Sequence, residues 1–227
     1  RADAAGWLRL ALPEEFGGQS ASNLKMAIIR EHLATKGLGL HNDLQNESSI
    51  VGNFPTVLMM RDFGTEDQKK EWMPGFLDGT KRLAFGLTEP NHGSDATYLE
   101  TTAYKDGDEW VINGDKYYAS GAGDPRCKIL IVMLLTSPDG PPSRKHSQIL
   151  VPMDTPGVQI VGPMEVFGED DAPHGHMHIR FNSVRVPKEN ILQGEGKGFE
   201  ISQVRLGPGR IHHCMRSIGA AERALEL

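Results

Sequence analysis

The pattern that most constrains the fold is a series of short strand-like segments in the middle of the chain. From about residue 83 the apolar period changes from that of a helix to two, and clusters of Pro, Gly and Asp separate the segments. Four of them are predicted as strands: residues 128–135, 147–153, 157–162 and 176–187. Because no helical segment lies between them, they predict an antiparallel barrel or sandwich rather than β-α-β units.

A hairpin is predicted within residues 109–118. The Asn113-Gly114 pair stands between two strand-like runs and is typical of a type I′ turn, which needs positive φ twice. Tyr117 and Tyr118 are adjacent in the second run, so their side chains are expected on opposite faces of a strand, one of them in the core.

The first part of the chain has helical patterns. Residues 23–34 place Leu24, Ile28 and Leu33 on one predicted apolar face, and Ser22 is the predicted cap.

A second predicted helix starts at a capping box, Thr65-Glu66-Asp67-Gln68, in which the first and last side chains serve each other's backbone amides. Pro74 is expected to kink or interrupt this helix, and Gly79 to end it.

These patterns predict an α+β chain of three parts. An N-terminal helical domain with an incomplete start covers residues 1–84, a middle antiparallel β-barrel covers 85–188, and the beginning of a C-terminal helical bundle covers 189–227. The last helical pattern stops at Leu227 without a capping residue, so we expect the C-terminal domain to be truncated.

Composition excludes several classes of function. A formal net charge of −6 and a pI near 5.8 argue against non-specific nucleic-acid binding, which needs clustered Lys and Arg. No apolar run approaches the roughly 18 residues of a membrane span, and no secretory signal is apparent. Cys127 and Cys214 have no metal-ligand spacing, which favours reduced thiols. We expect a protein that is not secreted, and leave cytoplasm, mitochondrial matrix and peroxisome open.

Residues 87–96, LTEPNHGSDA, follow a short apolar run. A strand end followed by small residues lets backbone amides approach a ligand, and the Ser94 hydroxyl could donate to a phosphate. The spacing matches neither GxGxxG nor GxxxxGK[ST], so Rossmann and P-loop sites are excluded. Taken alone, the stretch favours a turn whose hydroxyls satisfy local backbone.

Several blocks, in order, resemble the acyl-CoA dehydrogenase family. They are LPEEFGG (12–18), GTEDQKKEWMPGFLDGTKR (64–82), FGLTEPNHGSDA (85–96), DEWVINGDKYYASGAG (108–123), DTPGVQIVGP (154–163) and FNSVRVPKENILQGEGKGFE (181–200). The resemblance is greatest to the branch whose larger members carry a phosphotransferase-like domain. It implies a helical domain, a β-barrel and a C-terminal four-helix domain, with FAD between the last two.

The resemblance also implies which residues bind FAD. The backbone of Phe85 and Leu87 and the hydroxyl of Thr88 are expected at the pyrimidine edge of the isoalloxazine, where donors stabilise the charge of the reduced ring. Gly93 and Ser94 are expected at the pyrophosphate.

A second set of expected flavin contacts follows the Asn-Gly pair. Tyr118 takes the position of a Trp that stacks beside the flavin in relatives, and Ser120 that of a hydroxyl residue near N5. Ala119, between them, is included among the cofactor-binding residues.

The activity implied is α,β-dehydrogenation of an acyl-CoA thioester, with a carboxylate removing the α-proton while hydride leaves the β-carbon for flavin N5. An electron-transfer flavoprotein is the expected acceptor, and the complete protein is expected to form a homo-oligomer. Alternatives are an acyl-CoA oxidase, a mono-oxygenase, an enzyme eliminating from a γ-substituted acyl-CoA, or a non-catalytic fragment.

The carboxylate that acts as base is not identified in this chain. Some relatives place it one residue before an Arg that matches Arg210, where this sequence has Gly209, and Gly207 stands where several relatives have Asp. Glycine has no side chain to act as a base, so we predict that the base lies outside residues 1–227 and that this chain alone is inactive. Arg210 is predicted to frame the acyl pocket and the flavin.

Three alternating histidines, His174, His176 and His178, would share one face of a strand, as in some metal sites. No carboxylate or thiol lies near them in sequence, so we predict a plain strand and no metal site. Asp95 is expected to support the turn at Ser94.

Overall fold

The computed structural model describes residues 3–37, 53–170 and 175–227. The chain divides into two compact units, one formed by Arg1–Asp62 with Gln203–Leu227 and the other by Phe63–Ser202. Each is described by itself below. His174, one of the three alternating histidines, lies outside the described residues.

Helix α1, Asn23–Thr35, begins at the predicted cap, because the Ser22 side chain accepts a hydrogen bond from the Lys25 amide at 3.2 Å. Its predicted apolar face is wrong, since Leu24 and Ile28 are 71% and 59% exposed. The buried residues of α1 are Met26, Ala27, Arg30 and Ala34.

Close helix packing explains that difference. A Cβ added to Gly219 would lie 2.3 Å from the Glu31 carbonyl oxygen and 2.8 Å from the Ala34 Cβ. The helix that carries Gly219 therefore packs closely against α1 at Glu31 and Ala34, and this contact contributes to which side of α1 is buried.

Helix α2, Asn53–Phe63, is followed by α3, Glu66–Asp78. The capping box of α3 is confirmed: the Gln68 amide donates to the Thr65 hydroxyl at 3.2 Å, and the Thr65 amide donates to the Gln68 side chain at 2.9 Å. Gly79 ends the helix with φ of 78°.

Pro74 does not interrupt α3, so interruption, one of its two expected effects, is excluded. It lies on the exposed side of the helix, as does Lys70, whose carbonyl loses the helical hydrogen bond to residue 74. Water can satisfy that carbonyl, which reduces the cost of proline at this position.

Helix α4, Gly198–Glu226, is 29 residues long and runs through Pro208. Four exposed apolar side chains recur on it at seven-residue intervals: Val204, Ile211, Ile218 and Leu225. Such spacing puts them on one side of the helix, as in a bundle seam, and agrees with the predicted start of a C-terminal helical bundle.

Seven strands form one sheet: β1 Arg82–Gly86, β2 Thr102–Asp106, β3 Glu109–Ser120, β4 Cys127–Leu135, β5 His146–Pro152, β6 Val158–Pro163 and β7 His176–Pro187. Their order is β1-β4-β2-β3-β7-β6, with β5 on β4. Most pairs are antiparallel, but β1 and β2 both pair with β4 in parallel. The α+β class is confirmed, and the barrel, predicted as antiparallel, is a curled mixed sheet.

The predicted hairpin at Asn113-Gly114 is wrong, because β3 is continuous from residue 109 to 120. The real hairpin joins β2 to β3, with Asp106 opposite Glu109 and positive φ at Gly107. Asn113 and Gly114 instead lie beside a bulge in β7, and Asn113 Oδ1 accepts the Ser183 amide at 2.9 Å. Asn-Gly, a pair typical of tight turns, therefore lies opposite a β-bulge in this sheet.

The sheet encloses the core of the second unit. Its sixteen fully buried members come mainly from the inward faces of β3, β4, β5 and β7, among them Trp110, Ile112, Leu130, Val151 and Val184. Both cysteines are unpaired: Cys127 is buried, which raises its pKa to about 11, and Cys214 is exposed. Among the described residues, no helix has the length and apolarity needed to cross a membrane.

Candidate functional site

The segment that follows β1 lies along β3. We call residues 87–92 the strand-end segment. Its first two carbonyls take donors from β3: the Leu87 carbonyl accepts from Lys116 Nζ at 3.2 Å, and the Thr88 carbonyl accepts from the Tyr117 amide at 2.8 Å. These two bonds bring the predicted flavin residues Leu87 and Thr88 next to the strand that carries Tyr118.

A buried ion pair lies behind this segment. Lys116 Nζ is 2.6 Å from Glu89 Oε1, and the two side chains are 0% and 1% exposed. The Glu89 carboxylate also accepts the amides of Glu100 at 2.5 Å and Thr101 at 3.0 Å. These hydrogen bonds of the pair join the strand-end segment, residues 100–101 and β3.

Burial and pairing act on both pKa values of the ion pair. Burial lowers the pKa of Lys116 to about 8, although Glu89 opposes that shift. Burial alone would raise the pKa of Glu89, but Lys116 and the amides of Glu100 and Thr101 together hold it below its ordinary value. Each charged group therefore favours the charged form of the other.

The strand-end segment closes in a tight turn. Glu89 and His92 exchange two backbone hydrogen bonds, of 3.0 and 3.2 Å. Gly93 and Ser94 follow in an exposed bend. Asp95 fixes the next residues by accepting the side chain of Thr97 at 2.6 Å and its amide at 3.0 Å, which lowers the pKa of Asp95.

Tyr118 is presented outward by a bulge. Between the pairs Lys116–Ile179 and Ala119–Met177, β3 advances three residues and β7 two, and the extra residue Tyr118 has φ of 53°. Its side chain is 42% exposed. Tyr117 is half-buried with its ring 4.6 Å from that of His178, so the expectation that one tyrosine belongs to the core is wrong.

The two residues after the bulge, Ala119 and Ser120, differ in exposure. Ser120 is exposed, and its hydroxyl lies 2.7 Å from His176 Nδ1. Ala119 is fully buried in the core. Its methyl group therefore faces away from solvent, and only its backbone can contact a ligand on this side.

The two alternating histidines that the structure describes, His176 and His178, both lie within hydrogen-bond distance of side chains of β3. His178 Nε2 lies 2.5 Å from Asp115 Oδ1, and Arg180 Nε donates to the same oxygen at 3.0 Å. Across residues 3–37, 53–170 and 175–227, no three His, Cys, Asp or Glu side chains are grouped to hold a metal ion.

Arg210 lies on α4, in the first unit. It is exposed, and its Nη1 donates to Gln203 Oε1 at 3.0 Å on the same helix. A Cβ at Gly207 would meet open space, whereas Gly209 is buried. The role of Arg210 toward the acyl pocket and the flavin stays a prediction.

Glu89 and Lys116 were missed by the sequence interpretation. One signal was available: Lys116 shares the strand parity of Trp110 and Ile112, which are core residues. A lysine on the inward side of a strand requires a buried acceptor, ideally a carboxylate. The sequence does not say which carboxylate, because Glu89 is 27 positions away.

Residues at this edge of the sheet fit a flat aromatic ligand with a polar rim. The exposed Tyr118 ring supplies an aromatic face, and the hydroxyl of Ser120 lies two residues further along the same strand end. Thr88 adds a half-buried hydroxyl. This donor set has the chemistry that an isoalloxazine ring needs, and the exposed Gly93-Ser94 bend has that of a phosphate contact.

Two family models match consecutive parts of the chain. The N-terminal domain of acyl-CoA dehydrogenases matches residues 1–80, and the middle domain of acyl-CoA dehydrogenases matches residues 84–184. Together they cover the helical start and nearly the whole sheet.

Relatives carry the same description. The chain is 54% identical over 230 residues to mouse "Acyl-CoA dehydrogenase family member 11", of which it covers 28%. It is 57% identical over 178 residues to "Probable acyl-CoA dehydrogenase FadE2" of Mycobacterium tuberculosis, of which it covers 43%. The chain thus spans less than half the length of these two relatives.

A solved structure shares the fold. A protein from Mycobacterium abscessus described as an acyl-CoA dehydrogenase superposes with a TM-score of 0.85 and 40% identity, over 99% of this chain and 55% of its own. From the two domain models, the curated relatives and this structural match, we conclude that the chain belongs to the acyl-CoA dehydrogenase family.

Proposed function

We propose that this chain provides the FAD-binding part of an enzyme that dehydrogenates an acyl-CoA thioester. The observation that carries the proposal is the outward-facing Tyr118 at a β-bulge, next to the strand-end segment and two residues before the Ser120 hydroxyl. β-Bulges are over-represented next to active sites, where they redirect a side chain.

In this proposal the flavin contacts residues of β3 and residues at the end of β1 and in the strand-end segment, which the Tyr117–Thr88 hydrogen bond joins to β3. Tyr118 lies against the flavin ring, and the Ser120 hydroxyl bonds near N5. Thr88, with the backbone of Phe85 and Leu87, donates to the pyrimidine edge.

The Leu87 carbonyl already accepts from Lys116, so the second lone pair of that oxygen is the one left for the ring. Gly93 and Ser94 bind the pyrophosphate, where the missing Cβ of glycine lets the backbone approach. Ala119 contributes through its backbone only.

When bound, FAD would supply the acceptor for the hydride that leaves the β-carbon of the acyl group. The α-proton needs a carboxylate within hydrogen-bond reach. Positions 207 and 209 of α4 are glycines, so neither can remove it. In this proposal the base lies outside residues 1–227, and Arg210 frames the acyl pocket.

Electron transfer and assembly complete the proposal. An electron-transfer flavoprotein accepts the electrons, and the complete enzyme is a homo-oligomer. Both rest on the family alone.

A two-step absorption experiment tests the proposal. The 227-residue chain is mixed with FAD, and the flavin bands near 450 nm are followed; butyryl-CoA is then added without oxygen. We expect the bands to shift on binding and not to bleach with the thioester. Absence of any band shift would refute flavin binding, and bleaching would show a base within the chain.

A further inference from the structure

The buried Glu89–Lys116 ion pair connects three stretches of chain that meet at the candidate site. Lys116 Nζ contacts both the Leu87 carbonyl and the Glu89 carboxylate. The carboxylate in turn receives the amides of Glu100 and Thr101. The pair therefore joins the strand-end segment, the approach to β2 and the strand β3.

The ion pair supplies hydrogen-bond partners to backbone groups around it, which apolar side chains could not do. The Leu87 carbonyl needs a donor, and the amides of residues 100 and 101 need acceptors, because none of these groups belongs to a regular strand. The ammonium of Lys116 supplies the donor, and the carboxylate of Glu89 supplies the acceptors.

Stability alone is a weak reason for such a pair. Moving two charges out of water costs as much as their attraction returns, and an apolar replacement is often as stable. What the pair does provide is a fixed geometry. It sets where the Leu87–Thr88 backbone lies relative to β3, immediately before the bulge that presents Tyr118.

A close packing contact reinforces this geometry. A Cβ added to Gly86 would lie 3.1 Å from the Lys116 Cγ, so the end of β1 passes directly over the lysine stem. The aliphatic stem of Lys116 limits how closely the end of β1 can approach β3. Its ammonium holds the Leu87 carbonyl, one residue later. The Lys116 side chain thus holds two successive residues in place: Gly86 at the end of β1 and Leu87 at the start of the strand-end segment.

We infer that Glu89 and Lys116 are positioning residues of the flavin site: the ion pair holds the Leu87–Thr88 backbone at the distance from Tyr118 that the flavin ring edge requires. The inference rests on the proposed function and deepens it. Neither residue contacts the reacting atoms in this account, and both act through the backbone that they hold.

The test uses a pair of variants of the 227-residue chain. Glu89→Gln with Lys116→Met removes both charges together and keeps the length of both side chains, so no unpaired charge is left buried. The matched control is Asp115→Asn with Arg180→Met, which removes the partly exposed ion pair between β3 and β7, next to Lys116. Folding of each variant is checked by circular dichroism and urea unfolding before FAD is added.

We expect the Glu89→Gln/Lys116→Met variant to bind FAD about ten-fold or more weakly, as a ring edge misplaced by a fraction of an ångström loses its hydrogen bonds. We also expect the absorption bands of the bound flavin, measured at saturating FAD, to differ from those of the wild type. A purely structural role would not change that spectrum. The control variant should bind within about two-fold of the wild type.

The outcomes separate the inference from the proposed function. A folded Glu89→Gln/Lys116→Met variant with wild-type affinity and spectrum overturns the inference and leaves flavin binding intact. No FAD binding by the wild type overturns both. If that variant does not fold, Glu89→Asp is used, since it keeps the charge but shortens the side chain by one methylene; an unchanged spectrum and affinity in it would equally overturn the inference.

Discussion

Two neighbouring residues of β3 take part in ion pairs of opposite character. Asp115 lies on the open side of the strand, where His178 and Arg180 contact it and its side chain is 28% exposed. Lys116 points inward to Glu89 and has no exposure. One step along a strand thus changes the surroundings of a charge from water to a sealed interior.

The difference teaches that burial, rather than pairing, decides what a charge does in this molecule. Asp115 can exchange its partners for water at little cost. Lys116 and Glu89 cannot, because each leaves the other as a buried charge if it is removed. A third pair, Asp124 with Arg126, is intermediate, and the three together form a graded series.

Breaking the sealed pair should have the largest effect. Lys116→Met alone leaves the Glu89 carboxylate buried without its cation, and we expect a loss of about 3–5 kcal/mol in the free energy of unfolding. Urea unfolding at neutral pH measures it, with Glu89→Gln/Lys116→Met as the control that should recover most of the loss. A loss below about 1 kcal/mol in the single variant would mean that water reaches the pair.

The intermediate pair should show its contribution through pH. Arg126 donates to both oxygens of Asp124, at 3.0 and 2.8 Å, and lowers the pKa of Asp124 to about 2. A depressed carboxyl pKa stabilises the fold above the unfolded value and ceases to do so as the pH falls through the folded value. Asp124→Asn should therefore cost about 1.5 kcal/mol at pH 7, the low end of the range for hydrogen bonds to a charged group, because the Arg126 side chain is half exposed.

That cost should shrink as the pH is lowered from about 4 to about 2, because the wild-type carboxylate is then protonated too. Unfolding of both proteins across this range measures the difference. A difference that does not change with pH would show that the loss comes from packing instead of charge.

The open cluster should matter least. Asp115→Asn keeps the size of the side chain and removes a partly exposed charge, so we expect a change below about 1 kcal/mol that decreases further in 1 M salt. Urea unfolding with and without salt measures it. An effect as large as that of Lys116→Met would end the distinction between the two sides of β3.

The sequence predicted the strands well because their limits are local. Residues 128–135 and 176–187 are bounded by Pro, Gly and Asp, and both correspond closely to observed strands, β4 and β7. The capping box of α3 is equally local, since Thr65 and Gln68 are three residues apart.

The errors arose where the tertiary structure decides. Asn113-Gly114 has the composition of a turn, but a bulge in β7 uses the Asn113 side chain, and that partner strand is distant in sequence. The outward position of Tyr118 depends on a second bulge that strict alternation does not foresee. In α1 the close approach of Gly219 decides which side is buried.

The candidate site was only partly foreseeable for the same reason. Its aromatic and hydroxyl residues lie within ordered sequence blocks, so the resemblance to a family pointed to them. The ion pair behind them joins Glu89, in the segment after β1, to Lys116 on β3, and no local pattern specifies such a contact.

The central claim is that the edge formed by the strand-end segment and the end of β3 binds a flavin. FAD titration of the wild type, Tyr118→Ala and Tyr104→Ala, followed by flavin fluorescence, tests it most directly. Tyr104 is a matched control, because it is also an exposed strand tyrosine, 57% exposed on β2. The account predicts that the wild type and Tyr104→Ala bind alike and that Tyr118→Ala binds about ten-fold or more weakly. Equal affinity of all three would contradict it.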